Sequence, residues 1–556
     1  MDSATINCSQ ALVKILENLG VTHVFGVPGA KIDSFFIALN HSKIKLVLVR
    51  HEQNAAFMAA AFGRLTGKIG VCIATSGPGV TNLVTGLSTA TSEGDPVLAI
   101  GGEVSVNERL KKAHQSLDSV TLMKAVTKYS AEVVTPDQLG EIMGNAIRAA
   151  EGGRQGAAFI SLPKDIGLAP FPGTINPRWG KSVQQGAASI EMMEAAAAII
   201  NKSRRPMILF GMDASRPSYA SAIKNFLRKT GIPYTSTFQG PGKWAQPEEQ
   251  ALFAGRVGLF CNQPADKLLD QSDCVITVGY DAIEFEPVLW NKNKERPLVV
   301  LDVIACPQDN AFLPAVELVG DIASSLDHLL DKLACQISKD FLNETAAAFK
   351  ENEGISNEGQ HFNGTPVHPL RIIHELRQIV TKDTHIALDI GSNYIWMSRY
   401  YGAEYARQVL VSNGQQTLGV ALPWAIASSL LHPNSRIISI SGDGGFLFSS
   451  MELETAKRLG VKFIHLIWDS HSYDMVSFQE SAHYKGETAG VELGSYDIEH
   501  YAAAFGCKGY TIKDAAELAG VLQEAIRAEV PVLINIPVDY SHNMKLMQNV
   551  IQSFVN

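Results

Sequence analysis

The chain lacks the marks of several protein classes. Its 556 residues hold seven cysteines, at positions 8, 72, 261, 274, 306, 335 and 507. The number is odd and no CxxC pair occurs. That argues against a disulfide framework or a zinc site and for free thiols in a reducing compartment, so a cytoplasmic location is expected. Basic residues number 47 against 56 acidic ones, and no Lys/Arg run or basic tail is present. Neither nucleic acid nor an anionic membrane surface is an expected partner. Long apolar runs are also missing. Stretches such as VALPWAIASSLL (420–431) are broken by Pro, Gly or charge, well short of the roughly 18 residues a membrane span needs. The opening MDSATINCSQ has no basic or apolar signal region, so no secretory signal is expected. No GxGxxG follows a strand pattern, which argues against a plain dinucleotide dehydrogenase.

What is present reads as α/β. With 46% hydrophobic residues, 46 Gly and 24 Pro, the composition is globular. The length predicts three or four domains at about 150 residues each. Short apolar runs alternate with helical patterns: VFGVPG, KLVLVR, VCIATSG and PVLAIGG in residues 1–167; PMILFG, DCVITVG and PLVVLDV in 189–337; HIALDIG, RIISISG, FIHLIW and PVLINIPV in 367–545. Such alternation predicts parallel sheets covered on both faces. Residues 9–20 read as a helix capped by Ser9, with Leu12, Ile15, Leu16 and Leu19 at helical spacing and Gly20 at the end. The Pro/Gly-rich 168–188 and the polar 338–366 are predicted linkers, and 546–556 a tail. AIRAAEGGRQGAAFISLPKD (146–165) is echoed by AIRAEVPVLINIPVD (525–539). The echo predicts two copies of one α/β domain flanking a different one.

The sharpest local feature is RIISISGDGGFLFSSMELETA (436–456), a strand running through Gly442, Asp443, Gly444 and Gly445 into a helix. Glycines there let backbone approach a ligand and adopt positive φ. A helix start offers unpaired N–H groups to phosphate. A carboxylate aimed into such a seat needs a cation between it and the phosphate, which makes Asp443 a candidate Mg²⁺ ligand. The next strand opens into Asp469, Ser470, His471 and Ser472, at the same sheet edge.

These residues resemble the thiamine-diphosphate (ThDP) enzymes, and the rest of the chain resembles their acetolactate synthase branch. The matching pieces are FGVPGAKID, VRHEQNAAFMAAAFGRLTGK, TSGPGVTNLVTGL, EGDPVLAIGG, AHQSLDSV, FAGRVGLF, SNGQQTLGVALPWAIA and GDGGFLFSSMELETA. The likeness is closest to the catabolic, FAD-independent synthases of the acetoin/butanediol pathway. It implies three doubly wound parallel-sheet domains: pyrimidine (1–167), central (189–337) and diphosphate (367–545). It implies condensation of two pyruvates to 2-acetolactate with loss of CO₂, through a cofactor ylide and a hydroxyethyl carbanion. The implied cofactors are ThDP and Mg²⁺, without FAD. The implied assembly is a homo-oligomer, a dimer at least and usually a tetramer, with sites shared between chains.

Residue by residue, the resemblance gives Glu52 the role of activating the aminopyrimidine ring. Gln115 falls near the reacting centre. Leu418 supports the bent cofactor. Gly29, Ala30, Ser76, Gly77, Gln415, Gln416, Tyr473 and the four residues of GDGG fall among cofactor contacts. Lys31, Arg256, Gln115, Met475 and Gln479 fall toward substrate. Relatives that favour 2-ketobutyrate carry Trp where Gln479 stands, so pyruvate is the expected second substrate here. The metal set departs from the family. Ser470 stands where Asn or Asp is usual, followed by the Ser472 carbonyl, with Asp469 as the alternative. The acidic 279–286 (GYDAIEFE) suits a flavin diphosphate poorly. Two other readings remain: a different ThDP-dependent pyruvate decarboxylase or oxidase, and a catalytically silent ThDP-fold assembly subunit.

Overall fold

The computed structural model describes residues 6–109, 111–244, 247–405, 407–544 and 546. The predicted tail therefore lies outside the described residues apart from Leu546. All eighteen strands are parallel and form three six-stranded sheets. The first contains β1 (His23–Gly26), β2 (Lys45–Leu48), β3 (Gly70–Ala74), β4 (Val97–Glu103), β5 (Tyr129–Glu132) and β6 (Ala157–Pro163). The second contains β7 (Pro206–Phe210), β8 (Tyr234–Thr237), β9 (Phe253–Val257), β10 (Cys274–Val278), β11 (Leu298–Asp302) and β12 (Val316–Val319). The third contains β13 (His385–Leu388), β14 (Val409–Val411), β15 (Ile437–Gly442), β16 (Ile464–Asp469), β17 (Lys508–Thr511) and β18 (Val532–Pro537).

The first sheet has the order β2-β1-β3-β4-β6-β5 and the third the order β14-β13-β15-β16-β18-β17. These are the same order, displaced by twelve strands along the chain. The echoed segments are the equivalent helix–strand pairs, Leu139–Glu151 into β6 and Glu517–Ile526 into β18. The central sheet differs, running β12-β11-β10-β7-β8-β9.

The described residues pack as two compact units: 1–183 with 414–434 and 449–462, and 184–413 with 435–448 and 463–556. The third block of sequence is thus not one packing unit. Its helices Ala421–Leu431 and Glu452–Leu459 belong with the first sheet. The reason is the helix Glu52–Thr66, buried from Asn54 to Arg64 and rich in alanine. Small side chains admit a close neighbour, and Ala421–Leu431 lies against it. Arg64 at its end is buried, bonded to Asp95 at 2.8 Å and stacked 4.8 Å from the Trp424 ring. That pairing and stacking compensate a desolvated guanidinium.

Two local expectations fail. The first helix runs Cys8–Asn18 and is capped by Asn7, not Ser9. Asn7 and Gln10 form a reciprocal capping box, and buried Ser9 bonds the Ser34 hydroxyl at 2.8 Å. The predicted linker 338–366 holds a 19-residue helix, Lys339–Asn357. Phe341, Thr345 and Ala348 bury one stripe of it against the second unit, a face too narrow to show in a mostly polar sequence. Among the described residues no helix is long and apolar enough to cross a membrane. The seven cysteines are free thiols.

Candidate active site

In the first unit, the C-terminal ends of β1 and β3 and the start of the helix Glu52–Thr66 gather the predicted pyrimidine-side residues. Glu52 is the first residue of its helix, behind the N-cap His51, whose Nδ1 accepts the Gln53 N–H. The half-buried Glu52 carboxylate accepts a bond from Asn82 Nδ2 at 2.9 Å. Gly29 backs onto Thr75, and the buried hydroxyls of Thr75 and Ser76 have no partner. Gly77 has φ +62°, and a Cβ there would lie 3.1 Å from that of Gln115. Gln115 itself has φ +64°, a strained value for a side-chain-bearing residue. Such outliers cluster at functional sites. Ala30 is exposed and Lys31 half-buried in the loop after β1.

The segment 414–418 belongs to the same unit. Gly414 N donates to buried Glu93 at 2.5 Å, and the Thr417 and Thr89 hydroxyls bond at 2.8 Å. Gln415 and Gln416 are exposed, and Gln416 is also left-handed, at φ +46°. Leu418 is half-buried rather than core, available to support a ligand. Sequence reasoning missed Glu452. Its side chain is fully buried, and Oε1 accepts the N–H groups of Arg50 (2.9 Å) and His51 (3.2 Å) and Asn54 Nδ2 (2.9 Å). It braces the turn that delivers Glu52 from about four hundred residues away in sequence, which no local signal reveals.

In the second unit, β15 ends at Gly442 and the chain turns into the short helix Asp443–Leu447. None of Gly442, Gly444 and Gly445 has positive φ, contrary to expectation. What this turn requires is room. A Cβ on Gly444 would lie 2.6 Å from the Tyr473 ring, and one on Gly445 would lie 3.1 Å from the Asp389 carboxylate. Asp443 is buried, and among the described residues no side chain donates to either carboxylate oxygen; only backbone N–H groups of the turn and of Ser470 face it. Burial, and then the charge of Asp469, push its pKa up. A buried carboxylate beside another carboxylate, with only backbone donors, is costly unless a cation neutralises it.

One ligand atom each from Asp443, Asp469 and His471 lies within 4.8 Å of the others. Asp469 ends β16 and accepts from Asn535 Nδ2 at 2.9 Å. The Ser470 hydroxyl instead turns to the Ser472 carbonyl at 3.2 Å, so the two expected ligands are bonded to each other. The loop is held by bonds from Tyr473 N to Val491 O (2.9 Å) and from Leu493 N to His471 O (2.9 Å). Beside it lies a cavity of about 260 Å³ lined by Asp443, Gly444, Leu447, Tyr473, Leu493 and Tyr496. Asp474 was also missed. Burial pushes its carboxyl up to about 6, and its Oδ2 has no partner. Met475 and Gln479 follow at helical i, i+4 spacing on Asp474–His483, a helix half-buried or exposed along its length, with the Asp474 carboxyl at its start turned into the protein. Arg256 is not part of this group. It is buried on β9, donates to the Phe238 and Thr237 carbonyls, and is pushed down to about 10 by burial.

Thiamine pyrophosphate enzyme families match three stretches: the N-terminal TPP binding domain over residues 6–122, the central domain over 193–329 and the C-terminal TPP binding domain over 389–536. An acetolactate synthase of Bacillus subtilis (strain 168) is 44% identical over 542 residues, covering 97% of this chain and 94% of the relative. A catabolic acetolactate synthase of Raoultella terrigena is 44% identical over 542 residues, covering 96% of each. A probable acetolactate synthase large subunit of Methanocaldococcus jannaschii is 31% identical over 554 residues, covering 96% of this chain and 92% of the relative.

Proposed function

The chain belongs to the acetolactate synthases of the thiamine pyrophosphate enzyme family, and from that membership we propose that it condenses two pyruvates into 2-acetolactate with release of one CO₂, in the catabolic manner. The observation that carries this is Asp443, a buried carboxylate at a glycine-rich strand end with no side-chain donor and no cation beside it among the described residues. Its donor set fits a hard cation bound through carboxylates and a diphosphate. The unpartnered hydroxyls of Thr75 and Ser76 beside Gly29 and Gly77 fit a heterocycle at the other half. When bound, thiamine diphosphate supplies a nucleophilic carbon and an electron sink for decarboxylation.

The chain's own residues do the rest. Glu52, its carboxylate held by Asn82, would serve as the acid–base group for the cofactor's pyrimidine ring when it is bound. Asp443 would hold Mg²⁺, with Asp469 close by as a second carboxylate or water-holding group and the Ser470 hydroxyl engaged by the Ser472 carbonyl. The Ser472 carbonyl is the backbone ligand. Gln115 would lie toward the reacting centre, Leu418 would support the bound cofactor, and Lys31 would attract the keto-acid carboxylate. Met475 and Gln479 line the second-substrate side. A polar Gln479 gives no apolar contact for an ethyl group, so pyruvate is preferred over 2-ketobutyrate. Gln479→Trp is expected to raise 2-ketobutyrate use by about tenfold or more, the worth of one methylene. Competition between the two acids checks this.

The active assembly is a homodimer or larger, usually a tetramer, each site formed by the pyrimidine half of one chain and the diphosphate half of another, in a cytoplasmic setting and without FAD. Inactive Glu52→Gln and Asp443→Asn chains, mixed and re-assembled, are expected to regain activity through the one intact site each mixed dimer contains. The primary test is the pure protein with ThDP, Mg²⁺ and pyruvate, followed by acid to convert acetolactate to acetoin. Acetoin with one CO₂ per two pyruvates supports the reading. Acetaldehyde as sole product, a flavin-dependent oxidation, or cofactor binding without CO₂ release each overturns it.

A further inference from the structure

The central sheet has a ligand crevice by design, and the chain has filled it. Its order reverses between β7 and β10. In doubly wound sheets that reversal opens a crevice beyond the strand ends, where dinucleotides bind. Here the loop after β10 (279–285) folds across the end of β7. A Cβ on Gly211, the first residue past β7, would lie 2.4 Å from both Gly279 O and Tyr280 Cα. Backbone meets backbone where a cofactor's phosphates would otherwise approach.

Glu284 completes the filling. It is 5% exposed. Its two oxygens accept the Met212 N–H at 3.0 and 2.9 Å. Oε1 also accepts the Asp281 N–H at 3.1 Å, and Oε2 accepts the Thr237 hydroxyl at 2.6 Å. The Thr237 oxygen is itself occupied by the Gly240 N–H at 3.0 Å. These donors come from the ends of β7 and β8 and from the loop after β10, the segments that would surround a bound diphosphate. The residues present do not fit a dinucleotide: the crevice is closed, and a carboxylate already takes the donors.

We infer that Glu284 is a built-in anion lodged in the dinucleotide crevice of the central sheet, and that it decides that this domain takes neither flavin nor nicotinamide dinucleotide. The inference deepens, and rests on, the FAD-free part of the reading above. An N–H donor is equally content with a carboxylate or a phosphate oxygen, and an internal carboxylate wins because it needs no association from solution. With its negative charge in place, a second anion at the same donors is repelled.

The test uses full-length protein loaded with ThDP and Mg²⁺, so that the diphosphate turn is occupied, and ADP or FAD as probe. Isothermal titration of the native chain is expected to show no binding of either at about 1 mM. Glu284→Ser removes the carboxylate and is expected to bind ADP at least about tenfold more tightly than the native chain does. It is also expected to melt about 5 °C or more lower, because buried donors lose their acceptor. Should Glu284→Ser fail to fold, Glu284→Gln carries the same reading at nearly unchanged volume. Native protein that retains FAD, or folded variants that bind ADP no better than the native chain, overturns the inference. Acetoin formation is measured alongside. Its absence in native protein sinks the carboligase reading and leaves the nucleotide result to stand or fall by itself.

Discussion

Truncating Glu452 to Ala tests whether the buried brace under Glu52 matters to chemistry as well as to stability. The fully buried carboxylate satisfies two backbone N–H groups and the Asn54 amide, and accepts the Thr455 hydroxyl at 2.6 Å. Each buried donor left unmade costs about 1–3 kcal/mol. Some of that is recovered, because burial itself disfavours the Glu452 charge and pushes its pKa up. The expected net loss is about 3 kcal/mol, the low end for removing one partner of a buried charged network. For a unit of this size that is a fall of about 6–12 °C in the first thermal transition. Because Arg50 and His51 directly precede Glu52, kcat at saturating ThDP is expected to fall as well, while KM for pyruvate stays near native. Glu452→Gln keeps one oxygen for the N–H groups and an amide that Thr455 accepts from, so it is expected to rescue most of both losses. Differential scanning calorimetry and steady-state acetoin formation read the two effects. A Glu452→Ala variant that melts within about 1 °C of native refutes the energetic argument. One that melts lower but turns over at the native rate confines Glu452 to stability.

Three further outcomes follow. Glu52→Gln is expected to retain ThDP binding but lose keto-acid turnover by about 10²–10⁴-fold, the usual worth of a positioned acid–base group; full-speed turnover would end the mechanism. Asp443 has its pKa raised by burial and by Asp469. Its ionised form therefore costs the metal-free fold stability as pH rises through that raised pKa. Asp443→Asn is expected to melt higher than native without metal at neutral pH and to lose the extra stability that Mg²⁺ with ThDP confers on native protein; a lower melting point without metal would contradict this. His465 is buried on β16 between the Ser439 and Ser441 hydroxyls, 2.7 and 2.9 Å away, and burial pushes it down to about 3. It stays neutral when folded, so stability is retained above the unfolded value near 6.5 and falls by about 1.4 kcal/mol per pH unit below it, until about pH 3. Denaturant titrations between pH 7 and 5 are expected to show that slope in the native chain and a shallower one in His465→Asn; equal slopes would assign it elsewhere.

Most strands recognisable in the sequence were buried ones, the apolar edge strand β2 (KLVL) excepted. The runs ILF, VITV, VVL and ISI lie in the middle of their sheets, covered on both faces, and so read as unbroken apolar stretches. β5 (YSAE), β9 (FAGRV), β12 (VELV), β14 (VLV) and β17 (KGYT) escaped notice as edge strands, short or interrupted by polar residues, and the inner β8 (YTST) did so because its buried residues are mostly hydroxyl-bearing. The site divides in the same way. Asp443 announced itself because glycines beside a carboxylate at a strand end have little other reason to occur. Glu452, Asp474 and Glu284 carry no such mark, since an acidic residue on a helix or loop usually faces water.

By itself, then, the order of apolar runs, turns and glycines determined an α/β chain with a repeated outer domain, and a glycine-rich strand end that carries a carboxylate. Those features are local, fixed by periodicity and backbone sterics over a few residues. Tertiary structure alone decided that ligand atoms of Asp443, Asp469 and His471 gather within 4.8 Å of one another, while the Ser470 hydroxyl bonds the Ser472 carbonyl. It also decided that Glu452 braces the turn before Glu52, and that Glu284 turns inward on the end of β7. Each of these pairs a buried charge with donors distant in sequence. The free energy of such a pairing exists only once packing has removed water from both partners.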